Sequence, residues 1–137
     1  CDKPETTYFA CKTTKQKWIA LCGRAPETLQ YRFGREGYVE FSFPQKAAEG
    51  MEKFLFAHYA RYQTDRVEIS FSNKNVDYVI FNYMEDADHR AGVRVTTPEG
   101  KEHEFICIGK ATERLVELKA VLRCDADNAL TGGSCSP

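Results

Sequence analysis

The 137-residue chain lacks any apolar run approaching the roughly 18 residues that cross a bilayer as a helix. It also lacks an excess of either charge: 19 Lys+Arg face 20 Asp+Glu, a formal net charge of −1. No basic surplus is available to neutralise a phosphate backbone, which argues against nucleic-acid binding. Several short chemical signatures are missing as well. There is no C-x-x-C, so zinc-ribbon and thioredoxin-type sites are excluded. There is no G-x-S-x-G elbow, no H-E-x-x-H and no glycine-rich phosphate loop; "GREG" and "TGG" are short turn signals. No N-x-[ST] sequon occurs, which fits a bacterial periplasm.

What the chain does have is six cysteines. With metal and thioredoxin signatures gone, these read as disulfides of an exported protein, the periplasm being the expected compartment. A start at Cys1 rather than Met fits a leader already removed, or a trimmed start.

The dominant hydrophobic period is two. Leu29, Tyr31 and Phe33 alternate with Gln30 and Arg32. Val39, Phe41 and Phe43 alternate with Glu40 and Ser42, and Val67, Ile69 and Phe71 with Glu68 and Ser70. Such alternation buries one face of an antiparallel sheet. Turn signals such as "GREG", "NKN" and "PEG" fall between the runs. Strands are expected over 6–13, 17–22, 28–34, 37–43, 54–63, 66–73, 76–84, 92–97 and 101–108. One C-terminal α-helix is expected over about 110–122, because Ala111, Leu115, Leu118 and Leu122 recur at helical spacing. The expected fold is mainly β: a single disulfide-stabilised domain over 1–137, its antiparallel meander of about 8–9 strands forming a barrel or sandwich.

Register gives an expectation for the sulfurs. If Gln16 and Lys17 make a two-residue turn, Cys11 lies opposite Cys22, with Cβ atoms about 4.5–5.5 Å apart. Cys107 ends the last strand and Cys124 ends the helix, so their bond would pin one to the other. Cys1 and Cys135 would then tie the termini. A second reading of Cys1 is acylation of its thiol as a lipid anchor.

No catalytic residue, metal or cofactor is expected. The histidines His58, His89 and His103 fall on different predicted elements. Glu40 and Glu68 face outward from strands and read as solvated charges rather than a glycosidase pair. The stretch "CDADNALTGG" begins like a calcium loop, but Ala129 occupies a ligand position and the closing glutamate is missing. It reads as a turn whose side chains cap local backbone amides.

The stretch "HYARYQTDR" carries the functional expectation. Tyrosine and arginine are enriched where partners dock, since each adds large area and hydrogen bonds at modest entropy cost. His58, Tyr59, Arg61, Tyr62, Asp65 and Arg66, with Glu85 and Asp86 from a nearby acidic turn, are the expected partner-binding residues. Tyr78 and Tyr83 would add area on the following strands. The competing reading is a covered strand in which Arg61 pairs with Asp65.

The segments "TTYFACKTTKQKWIALCG", "LQYRFG", "HYARYQTD" and "LRCDADNAL" together resemble a family of small exported proteins of Gram-negative bacteria. The resemblance runs over residues 6–130 and takes in Cys11, Cys22, Cys107 and Cys124; it supplies no catalytic residues. The cysteine hairpin and all-β size also resemble, more distantly, periplasmic inhibitors of c-type lysozyme, whose S-G-x-x-Y insert this sequence lacks. These features together imply a binding protein that inhibits, or gives immunity against, a cell-wall hydrolase or secreted toxin by covering its active site. A small-ligand carrier, a structural envelope module, or an enzyme whose residues converge only in the fold are the alternatives.

Overall fold

The computed structural model describes residues 1–131. Eleven strands form among them: β1 (Thr6–Lys12), β2 (Trp18–Arg24), β3 (Thr28–Arg35), β4 (Tyr38–Phe43), β5 (Leu55–Arg61), β6 (Thr64–Asn73), β7 (Val76–Glu85), β8 (Asp88–Thr96), β9 (Glu102–Ile106), β10 (Thr112–Glu113) and β11 (Arg123–Cys124). They build two sheets, ordered β10-β1-β2-β3-β4 and β11-β5-β6-β7-β8-β9. All pairings are antiparallel except that of β11 with β5. The arrangement is an open sandwich rather than a closed barrel. One seam is stitched: Thr13 and Cys107 form a bridge, Thr14 N donates to Ile106 O and Ile108 N donates to Lys12 O.

Alternation dictates the packing. The inward rows are Phe9, Ile19, Leu21, Leu29 and Tyr31 from one sheet and Phe56, Val67, Ile69, Ile80 and Val93 from the other, all buried. A column of four stacked rings crosses the gap. Phe43 lies 4.5 Å from Phe71, Phe71 lies 4.6 Å from Tyr78, and Tyr78 lies 5.5 Å from Phe41, measured between ring centroids. Phe41 and Phe43 are two positions apart on β4, so they bracket the cross-strand pair Phe71–Tyr78. Tyr78 therefore belongs to this column and not to an exposed patch.

The turns follow backbone chemistry. Lys74 and Asn75 both take positive φ, of 53° and 66°, in the two-residue loop joining β6 to β7. That is the mirror-image turn whose twist suits a hairpin. Gly34 sits where β4 shifts register, and a Cβ there would come within 2.2 Å of Tyr38 O.

Two expectations are overturned. The α-helix over 110–122 does not form. Ala111, Leu115, Leu118 and Leu122 are buried, so the apolar stripe is real. The backbone beneath it differs: Thr112–Glu113 is recruited as an edge strand on β1, and Leu115–Leu118 makes a 3-10 turn. A 3-10 turn also keeps residues three apart on one side, so the spacing alone did not select the α form.

The cysteine pairing is the second correction. Cys11 is bonded to Cys107 and Cys1 to Cys22; Cys124 is also disulfide-bonded, and Cys135 lies outside the described residues. The pairs Cys11–Cys22, Cys107–Cys124 and Cys1–Cys135 are therefore not formed. The β1–β2 connection is the cause. Lys12 pairs with Trp18, leaving five residues, 13–17, in the loop, where the Thr13 hydroxyl accepts from the backbone N–H of Lys15 and Lys17. Cys11 then faces Ile19 instead of Cys22, an odd shift that puts the two cysteines on opposite faces of the sheet. With Cys1 Sγ in a disulfide, its thiol is not available as a lipid anchor. The Cys11–Cys107 bond spans a sequence separation of 96 and joins the two sheets at their stitched seam. In the chain-entropy model such a loop contributes about 4–5 kcal/mol. Disulfides persist in oxidising compartments, which fits an extracytoplasmic chain. Among the described residues, no helix is long and apolar enough to cross a membrane.

Candidate functional site

The β5–β6 and β7–β8 turns lie side by side at one end of the six-stranded sheet. Thr64 pairs with Glu85, and Asp86 N donates to Gln63 O at 2.7 Å, so one turn braces the other. Gln63 and Asp86 each take positive φ, of 60° and 52°, which keeps both loops to two residues. This end collects all eight residues expected to meet a partner.

Tyr62 stands at the apex, 87% exposed. Tyr59 and Arg61 follow it on the outer face of β5, the Arg61 guanidinium 5.8 Å from the Tyr59 ring centroid. Arg66 pairs with Glu85 and lies 5.1 Å over the Tyr83 ring. A cleft of about 260 Å³ runs among Tyr59, Arg61, Arg66 and Glu85 and is closed on one side by Ala129 and Leu130. On the inner face, His58 Nε2 lies 2.8 Å from Asp65 Oδ1. Asp65 thus bonds His58 instead of the Arg61 partner that the covered-strand reading required. His89 Nε2 and Asn82 Oδ1 pair nearby at 2.5 Å, and Met84 between them is exposed. His103 is on β9, away from both pairs. Among the described residues, no group of three or more His, Cys, Asp or Glu is placed to hold a metal ion.

The support beneath this end was not visible in the sequence. Glu68 does face outward, yet it is only 7% exposed and is not a solvated charge. Its carboxylate accepts from the Tyr83 hydroxyl, from Asn128 Nδ2 at 2.6 Å and from Arg94 Nη2 at 3.4 Å. Burial and the bond to Glu68 together raise the Tyr83 phenol pKa. Burial opposes the Arg94 charge, but bonding to Tyr83 and Glu68 outweighs it and raises that pKa also. Beneath them, the Arg90 and Arg94 guanidiniums lie 5.3 and 5.4 Å from the ring centroid of Phe81, which stacks on Tyr83 at 5.0 Å.

Asn128 comes from the "CDADN" turn, which acts as a cap and clasp: Asn128 Oδ1 accepts Leu130 N at 2.8 Å while its amide holds Glu68. Asp125 Oδ2 accepts from Ser70 Oγ at 3.4 Å. Glu40 pairs with Lys17 and Arg35 on the other sheet, so it does not face Glu68. With its donors in place, Glu68 acts as a fastener that fixes the outer face beneath these turns. No family model, curated protein or solved structure matches this chain.

Proposed function

We propose that this chain is a periplasmic binding protein that docks a protein partner with the β5–β6/β7–β8 end of its larger sheet. The partner class is a cell-wall hydrolase or a secreted toxin, whose active site the protein covers as an inhibitor or immunity protein. The observation that carries this reading is the brace between the two turns, which projects Tyr62 from a stiff base ringed by Tyr59, Arg61 and Met84. A pre-ordered aromatic tip loses little conformational entropy on binding, which is why such residues dominate interface energies. Flanking Arg66–Glu85 and His58–Asp65 pairs suit a polar rim. The disulfides support the oxidising compartment.

The test is affinity capture from an envelope extract of the source cells, comparing wild type with Tyr62→Ala and Arg61→Ala. A hydrolase or toxin held by wild type, lost by the Tyr62 variant and inhibited on addition of the pure protein is the expected result. Recovery of no such enzyme, or equal recovery by the Tyr62 variant, would sink the reading.

A further inference from the structure

At the opposite end of the sandwich, a pocket of about 300 Å³ lies between the sheets, lined by Tyr31, Phe33, Phe41, Tyr78, Val95 and Phe105. All but Tyr31 are only half-buried, so the pocket opens to solvent. Its size matches the lower end of small-molecule sites, roughly 300–1,000 Å³.

Two observations point to what fills it. Neither the Tyr31 nor the Tyr78 hydroxyl has a hydrogen-bond partner among the described residues. Tyr31 lines the pocket and is 1% exposed, and among the described residues no fully buried side-chain polar atom is unsatisfied, so its remaining access is at the hydroxyl. An acceptor seated in the pocket would give this nearly enclosed hydroxyl the partner it lacks. Burial also pushes both phenols up in pKa, so they stay protonated donors at neutral pH. The second observation is a cation against one of the lining rings. Lys15 Nζ lies 4.6 Å from the Phe105 ring centroid and has no ion-pair partner among the described residues. Lys17, by contrast, is held by Glu40.

We propose that this pocket binds a small aliphatic carboxylic acid of the medium-chain fatty-acid class. Its hydrocarbon body packs on Phe33, Phe41, Val95 and Phe105. Its carboxylate accepts from the two phenol hydroxyls and is balanced by Lys15. A neutral oil would leave both hydroxyls unbonded, and an alkylammonium would meet the like charge of Lys15. The site is independent of the docking end.

The test is titration of octanoate into the full chain, followed by calorimetry and by amide NMR. Saturable one-to-one binding is expected, with shifts at Tyr31, Phe41, Tyr78 and Val95 and none at Tyr62. Octylamine should not bind at the same concentrations. The Tyr31→Phe/Tyr78→Phe double variant keeps the shape and should weaken octanoate by about tenfold; Lys15→Gln should weaken it by about threefold. Tyr62→Ala should bind as wild type does. Absence of saturable binding, octylamine binding equal to octanoate, or full affinity in the double variant would each overturn the assignment.

Discussion

The larger sheet ends differently at its two extremities, although the same strands run through both. At one end its inner face carries Phe71, Tyr78, Val95 and Phe105, met by Phe33, Phe41 and Phe43 of the smaller sheet. At the other end the inward positions are His58, Asp65, Asn82, Met84 and His89, and the last two are exposed. The strands obey the same alternation throughout; what changes is the cover. Where a sheet lies opposite, the inward rows are aromatic. Where β6 and β7 outrun that cover, the same rows turn polar and the tips become a surface. Packing sets the first end and exposure to solvent the second.

Substitutions can break that contrast. The largest effect is expected from Phe71→Ala, which removes the ring between Phe43 and Tyr78. Stability should fall by about 3–5 kcal/mol in urea unfolding. Glu68→Ala comes next, at about 2–3 kcal/mol, because Tyr83, Arg94 and Asn128 lose a shared acceptor. It should also loosen the β5–β6/β7–β8 end, seen as faster amide exchange at Tyr59 and Arg66.

A pH test sharpens the comparison. Burial holds the Tyr31 phenol above its ordinary value of 10.0. The unfolded chain then releases that proton first. The stabilisation is complete below pH 10.0 and is lost as pH rises beyond it, at up to about 1.4 kcal/mol per pH unit. Tyr31→Phe should remove that slope from unfolding curves taken between pH 9 and about pH 11. The smallest effect on stability belongs to Tyr62→Ala, within about 0.5 kcal/mol, although partner capture should fail in this variant.

Much of this was legible from alternation. Nine of the strands sit close to where turn residues and the period of two put them, because that period leaves one face to bury. The eight residues expected to meet a partner also converge, since two short hairpins off adjacent strands must end side by side. Register was less legible. Alternation says which residues share a face, but the five-residue loop around Thr13 decides which cysteines meet. The Ala111–Leu122 stripe gave burial without giving backbone form. The burial of Glu68 was hidden because its cover, Asn128, lies 60 positions away in a turn with no period.

Cys11 and Cys107 enclose every strand from β2 to β9 in a covalent ring. A protease that severs one peptide bond inside that ring opens it without releasing a fragment. A cut in the surface turn at 47–53 would leave both pieces tethered, their hairpins still annealed, and would show on a gel only after a reductant is added. For such a chain, being nicked and being destroyed become separate events.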